Sequence, residues 1–337
     1  MRETKSKQDS MTQLSEIVSG EHSGARKSWK QRRHLLDTKD LSIAEIACFL
    51  AVAAACKHNH LNEGAPLAVL RGKTIAHVFY ENSTRTRSSF EIAARRLGAD
   101  VLNLDTKVSS VTKGETLVDT ARQLMWMGTT AIVQRHHASG SADLLATHVG
   151  ADIHILNAGD GWHAHPTQGL LDLVTMTEVR PDMKNAKVTI LGDVTHSRVA
   201  RSNIWLLQKL GADVHVVGPP TLIPPGLEDI DVTVHSALES ALQDADFVIT
   251  LRLQLERQKQ GMIPSIGEYK KLYRLDHERL KLAKPSVRVL HPGPVNRGIE
   301  ITDALVDDAD ISLVSTQVTN GVSARMAVLY LLLAGIQ

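Results

Sequence analysis

The feature that most restricts what this chain can fold into is an alternation of short β-branched runs with amphipathic stretches, repeated along most of its length. Strand character appears at 74–80, 100–104, 131–134 and 152–156, and again at 188–191, 213–217, 232–235, 247–251 and 287–290. Helical patterns lie between them at 83–97, 114–127, 141–149, 198–210, 237–243 and 275–282. Strand, helix, strand at this spacing requires parallel sheets, because a parallel neighbour is reached only through a crossover. Two such series in succession predict an α/β protein of two doubly wound domains, joined by interdomain helices.

The length of 337 residues suffices for two domains, each with its own core. The expected division is a polar N-terminal extension at 1–34, a first domain at 35–165, a second at 166–319, and a C-terminal helix within 320–337 that packs back on the first. Ser42-Ile-Ala-Glu45 has the form of a capping box and opens an apolar helix ending near His58. Pro166 suits the first position of the helix at the domain joint. The last helix is expected at about 322–333, after the turn signal Asn320-Gly321. The first 30 residues have no apolar core of the kind a secretory signal needs, and a mobile arm is expected there.

Lys plus Arg total 38 against 37 Asp plus Glu, so no global field exists for gripping nucleic acid or an anionic membrane. No apolar stretch reaches the roughly 20 residues a bilayer crossing needs. The two cysteines, Cys48 and Cys56, lie in one apolar run without metal-like spacing and read as small fillers in a reducing compartment. A soluble cytoplasmic enzyme or small-molecule binder is expected, with small anions held by local arginine clusters.

Chemistry concentrates after the predicted strands. Glu81-Asn-Ser83-Thr84-Arg85-Thr86-Arg87 follows the first and enters a helix, whose N-terminal N–H groups and dipole attract anions. Its hydroxyls add short donors and Arg85 a planar fork suited to phosphate, although a Ser/Thr cap with surface arginines would read similarly. Ser109-Ser-Val-Thr-Lys113-Gly114 reads by itself as a polar loop. Arg135 stands at the carboxyl end of a strand, where open α/β sheets bind ligands. Asn157-Ala-Gly-Asp160-Gly-Trp-His163-Ala-His165-Pro166-Thr-Gln168 places two histidines close together, but no third ligand is spaced to join them, so no metal is expected. Arg198 and Arg252, the latter in Arg252-Leu-Gln254, follow later strands and could pair with carboxylates. The turn after Leu191 lacks a G-x-G-x-x-G fingerprint, which argues against a dinucleotide. His291-Pro292-Gly293-Pro294 is a stiff turn.

Ser83-Thr-Arg-Thr-Arg87 resembles the carbamoyl-phosphate signature of the aspartate and ornithine carbamoyltransferase family, and further motifs in family order extend the likeness over about 35–334. The resemblance implies a first domain that binds carbamoyl phosphate, a second that binds the amino acid, and a homotrimer with active sites shared between subunits. It implies carbamoyl-phosphate contacts from Ser83, Thr84, Arg85, Thr86, Arg135, His165 and Gln168, with Ser109 and Lys113 supplied by the neighbouring subunit. Thr112 stands where some members carry a second lysine. It further implies aspartate contacts from Lys113, Arg198, Arg252 and Gln254, and backbone contacts from Gly293 and Pro294. Arg85, Thr86, Lys113, Arg135 and His165 would be catalytic, with no cofactor. The implied reaction is carbamoyl transfer to L-aspartate in pyrimidine synthesis. Ornithine as acceptor, or a non-catalytic scaffold subunit, are the competing readings. The S-M-G segment and H-C-L-P turn of ornithine enzymes are missing here. The sequence leaves open a regulatory subunit or another pyrimidine-pathway enzyme as partner.

Overall fold

The computed structural model describes residues 16, 20–63, 67–104, 114–150, 153–254 and 262–334. The chain divides into two compact units, one of Met1–Thr167 with Thr319–Gln337, the other of Gln168–Val318.

The first unit begins with α1 (Ser23–Gln31) and α2 (Ile43–His58). Where a polar mobile arm was expected, the described part at 20–34 folds, with Trp29 fully buried. The remainder, 1–15 and 17–19, lies outside the described residues. The clasp that holds α1 is Glu45. Ser42 caps α2 through the Glu45 N–H, and the Glu45 carboxylate returns to the Ser42 N–H at 2.8 Å, completing the expected capping box. The same carboxylate accepts from Ser28 Oγ at 2.9 Å and Arg32 Nε at 3.2 Å, while the Trp29 indole donates to the Glu45 carbonyl at 2.9 Å. Cys48 and Cys56 are buried fillers of α2, and burial pushes the Cys56 thiol up to about 12.

Four parallel strands follow, β1 (Thr74–Phe79), β2 (Asp100–Leu104), β3 (Ala131–His136) and β4 (His154–Asp160), in the order β2-β1-β3-β4. Their crossovers are α3 (Thr84–Arg96), α4 (Leu117–Trp126) and α5 (Ser141–His148). Ile75 pairs with Val101 on one side and Ala131 on the other. Ala76, Val78, Ile132 and Ile155 bury against Leu124 and Leu145. β4 runs to Asp160, past the expected end at 156, and the side chains of Asn157 and Asp160 serve the next loop.

Helix α6 (Pro166–Val179) starts at the predicted proline and carries the chain into the second unit. There β5 (Lys187–Leu191), β6 (Asp213–Val217), β7 (Thr233–His235), β8 (Phe247–Thr250) and β9 (Arg288–Leu290) form a parallel sheet in the order β7-β6-β5-β8-β9. Around it run α7 (Arg198–Lys209), α8 (Leu238–Leu242), α9 (Ile266–Tyr273), α10 (His277–Leu280) and α11 (Asp303–Val306). Helix α9 is absent from the sequence expectation. The final helix, α12 (Val314–Leu333), begins earlier than expected and runs straight through Asn320-Gly321. That pair is no turn: the Arg325 guanidinium donates to the Gly321 carbonyl at 2.8 Å, and Ser323 donates to that of Asn320 at 3.2 Å. No helix among the described residues is long and apolar enough to cross a membrane.

Burial alone would raise the Glu45 carboxyl, but bonds from Ser42, Arg32 and Ser28 outweigh it and hold the group below its ordinary value. A depressed carboxylate contributes stability that is full above the ordinary value of about 4.3 and is lost as pH falls through the folded value. Glu45→Gln should therefore lower the melting temperature at pH 7 by an amount worth about 1–3 kcal/mol. The gap to the unsubstituted chain should shrink below about pH 4.3. Thermal melts across pH check this, and a gap constant down to pH 3.5 would remove the carboxylate from the clasp.

Candidate active site

In each sheet the strand order reverses at one point. The break falls between β1 and β3 in the first unit and between β5 and β8 in the second. Loops leaving the carboxyl ends of two such strands part in opposite directions and open a crevice, the usual ligand position in open α/β sheets.

In the first unit, β1 delivers Ser83 to the N-cap of α3 in an extended conformation (φ −159°, ψ 92°), and its side chain makes no cap hydrogen bond. The hydroxyl therefore remains usable by a ligand, and no acidic residue occupies the first turn to repel an anion. Arg85 is exposed and Thr86 buried. Arg87 points to β2 instead, where its Nε meets Asn103 Oδ1 at 3.4 Å. Across the break, Arg135 at the end of β3 donates to the Ala158 carbonyl at 3.2 Å and pairs with Glu81 at 3.3 Å. Nothing in the sequence around Glu81 marks it as the partner of Arg135.

The loop after β4 is organised by Asp160, a carboxylate with no exposed surface. Oδ1 accepts from Asn157 Nδ2 at 2.7 Å and the Ala164 N–H at 3.1 Å, and Oδ2 accepts from the Gly140 N–H at 2.7 Å and His163 Nδ1 at 3.0 Å. The bond to Asp160 holds His163 above its ordinary value. Asp143, Asp160 and His163 bring potential ligand atoms within 4.8 Å of one another, a grouping the sequence spacing hid. The four donors already on Asp160 make it a hydrogen-bond hub. That hub fixes the loop from which buried His165 enters α6.

In the second unit, Leu191 pairs with Thr250, so the loops after β5 and β8 start side by side. Buried Arg198 is the first residue of α7, capped by Ser197 Oγ at 3.1 Å from the Ala200 N–H. Half-buried Arg252 and Gln254 follow β8, and Gln254 Nε2 donates to the His196 carbonyl at 2.9 Å, lashing one loop to the other. His196 is itself held by Asp193 at 2.8 Å. The turn at 291–298 joins them through Asn296 Nδ2, which donates to the Leu253 carbonyl at 3.1 Å. Within it His291 Nδ1 accepts from the Gly293 N–H at 2.9 Å, so Nε2 carries the proton donated to Glu300 at 3.1 Å. Gly293 takes φ +64°, a conformation glycine adopts without cost, and precedes the cis-bonded Pro294.

Gln168 is set by Asp172, whose buried carboxylate accepts from Gln168 Nε2 at 2.8 Å, Gln317 Nε2 at 2.7 Å and Asn203 Nδ2 at 2.8 Å. Because a carboxylate only accepts, the Gln168 amide must turn its NH₂ inward and leave Oε1 for a ligand. In sequence Asp160 and Asp172 each look like any surface acid; only their burial marks them as positioning groups. Ser109 and Lys113, with Thr112, lie at 105–113, outside the described residues.

These halves define an α/β protein whose first unit offers an anion-binding sheet edge and whose second offers a guanidinium-and-amide edge. Residues 33–178 match the aspartate/ornithine carbamoyltransferase carbamoyl-P binding domain, and 184–332 match the Asp/Orn binding domain of the same family. The chain belongs to the aspartate/ornithine carbamoyltransferase family. It is 53% identical over 305 residues to an aspartate carbamoyltransferase catalytic subunit of Moorella thermoacetica, covering 90% of this chain and 98% of that one. A crystal structure of aspartate transcarbamoylase from Trypanosoma cruzi, in complex with carbamoyl aspartate and phosphate, superposes with TM-score 0.81 at 29% identity, covering 90% of this chain and 96% of that one. Ornithine carbamoyltransferase from Pyrococcus furiosus gives 0.80 at 31% identity, covering 90% and 98%.

Gly161 tests how tightly the loop is built. Its φ is +47°, and a Cβ there would sit on the backbone of Ser139. Gly140 has φ +79° but open space around it. Gly140→Ala should cost about 1 kcal/mol from backbone conformation alone. Gly161→Ala should cost about 2–4 kcal/mol and reduce turnover by displacing His165. Denaturant unfolding of both variants measures the difference; equal losses would show that the Ser139 contact does not constrain the loop.

Proposed function

We propose that this chain is an aspartate carbamoyltransferase, transferring the carbamoyl group of carbamoyl phosphate to the amine of L-aspartate and releasing phosphate, a step of de novo pyrimidine synthesis. The observation that carries the reading is the guanidinium set at the break of the second sheet, Arg198 after β5 and Arg252-x-Gln254 after β8. Two carboxylates call for such forks, whereas the cationic side chain of ornithine does not. The 53% identity to a catalytic subunit of that name agrees.

In this reading Ser83, Thr84, Arg85 and Thr86 cradle the phosphate at the start of α3, and Arg135 spans phosphate and carbamoyl oxygen. His165 donates to that oxygen. Gln168, its amide set by Asp172, accepts from the carbamoyl NH₂ through Oε1. Arg198, Arg252 and Gln254 bind aspartate, with backbone contacts at Gly293 and Pro294. The neutral amine forms a C–N bond to the carbamoyl carbon, the C–O bond to phosphate breaks, and the amine proton passes to a phosphate oxygen. Charge gathers first on the carbonyl oxygen and then on phosphate, where each preorganised donor contributes roughly 10²–10³ in rate. The enzyme works as a cytoplasmic homotrimer, in which Ser109 and Lys113 of one subunit complete a neighbour's site.

Initial rates with L-aspartate should exceed those with ornithine by several orders of magnitude. Arg252→Ala should raise the aspartate KM and lower kcat together, since a misplaced amine also loses the proximity term. Comparable turnover of ornithine, or an unchanged aspartate KM, would defeat the assignment.

Sharing of the site is tested by complementation. Arg85→Ala and Lys113→Ala chains should each be nearly inactive. When they are mixed equally, dissociated and reassembled, about three-quarters of the trimers are hybrids with one intact site in three, so about a quarter of full activity should return under closed three-fold symmetry. No recovery, with exchange verified by mass, would place both residues in one subunit's site.

A further inference from the structure

Strand β9 is an edge of the second sheet, and the side of it away from β8 is met by the chain on its way into α12. There the Val289 N–H donates to the Ile311 carbonyl at 3.0 Å, and the Leu313 N–H donates to the Val289 carbonyl at 2.8 Å. In a parallel pairing the next N–H on that side belongs to residue 291. It meets no strand carbonyl, because the chain has turned into α12 at Val314. The side chain of Gln317, in the first turn of that helix and 4% exposed, stands in: its Oε1 accepts from the His291 N–H at 2.9 Å. The other end of the amide donates to Asp172 Oδ1 at 2.7 Å, and Gln168 Nε2 donates to the same oxygen at 2.8 Å. A backbone N–H only donates and a carboxylate only accepts, so the Gln317 amide has one orientation, fixed from both ends.

From His291 the bonds continue within the second unit. Its Nδ1 accepts from the Gly293 N–H, and its Nε2 donates to Glu300 Oε1, which also accepts from the Asn296 N–H at 2.7 Å. Asn296 Nδ2 in turn donates to the carbonyl of Leu253, the residue between Arg252 and Gln254. Gln168 is thereby connected to the 291–298 turn and to the Arg252-Leu-Gln254 segment. The intervening side chains of Asp172, Gln317, His291 and Glu300 are all buried. We propose that Gln317 is a positioning residue for carbamoyl transfer, the link that joins the Asp172 hub to the aspartate-binding turn. It touches neither substrate. It holds Gln168, which meets the carbamoyl group, in fixed register with the turn and the Arg252 segment, which meet aspartate. Breaking either of its bonds would leave buried polar groups uncompensated, so its two ends move together. The inference rests on the carbamoyl-transfer reading and adds to it a residue that acts through others.

Gln317→Met nearly conserves the side-chain volume and removes both bonds. Retained circular dichroism identifies a folded variant, with Gln317→Ala as the alternative where Met fails. Steady-state kinetics of the full chain with carbamoyl phosphate and L-aspartate should show the aspartate KM raised about tenfold and kcat lowered about 10–10²-fold, the scale of a small misplacement remote from the reacting atoms. Inhibition by inorganic phosphate should keep its constant, since no residue of the relay belongs to the cradle at 83–86. Combined with Gln168→Ala, the loss in kcat should be smaller than the product of the two single losses, because Gln317 acts partly through Gln168. A merely structural role would lower stability and leave the aspartate KM alone. Hydrogen exchange needs no turnover, and the amides of 291–298 should exchange faster in the variant than in the unsubstituted chain. An unchanged aspartate KM, losses that multiply, or unaltered exchange at 291–298 would each overturn the proposal. Absence of turnover by the unsubstituted chain would instead defeat the carbamoyl-transfer reading, and the exchange alone would then decide whether Gln317 holds the turn.

Discussion

Among the described residues the named strands all pair in parallel, and the placement of the functional groups follows from that. A parallel strand cannot return to its neighbour by a tight turn, so the chain crosses back over the sheet, along a helix in every connection but that from β6 to β7, and every strand of a sheet ends at the same edge. Ser83 and Arg135 are far apart in sequence, yet Phe79 pairs directly with Arg135 and the chain passes from β1 to Ser83 within a few residues. The Leu191–Thr250 pairing does the same for Arg198 and Arg252. Strand order then adds the gap: where neighbouring loops diverge, backbone does not fill the space and a ligand can.

A sheet edge places residues but does not aim them. Aiming falls to carboxylates buried among donors. Stripping water from such a group costs several kcal/mol, which only a full set of donors offsets. Asp160 collects two backbone N–H groups, an amide and an imidazole, and Asp172 collects three side-chain amides. Rotating any one donor away would leave charge buried without compensation, so each donor has one acceptable orientation. For Gln168 that orientation also fixes which end of its amide faces outward. Stability and binding geometry thus depend on the same buried charges.

How legible this was depended on whether a residue's role is local. β2 and β6 match their expected bounds because their runs are bordered by turn residues, and the Ser42–Glu45 box is complete within four positions. Helix α1 escaped because its sequence is polar apart from Trp29, and it is held by an acid from another helix. Helix α9 escaped because Gly267 breaks an already short pattern. Asn320-Gly321 misled because a turn signal outweighs helix propensity in isolation, whereas burial outweighs it in the fold. Among site residues, those in a dense local motif, Ser83 to Thr86, were readable. The partners that orient them, Glu81, Asp160 and Asp172, become visible only through contacts.

Fold similarity alone does not choose between acceptors, since an aspartate enzyme and an ornithine enzyme superpose on this chain almost equally well, at TM-scores of 0.81 and 0.80. The choice rests with charge at the break in the second sheet. Arg252 follows β8 there, and Gln254, two residues further on, is tied to the carbonyl of His196 in the loop that leads to Arg198. An ammonium side chain brought to that edge would meet a cation in partly desolvated surroundings, where like charges repel strongly. A carboxylate meets a fork it can accept from with both oxygens. In the proposed reading, the residues that would attract aspartate would therefore also reject ornithine.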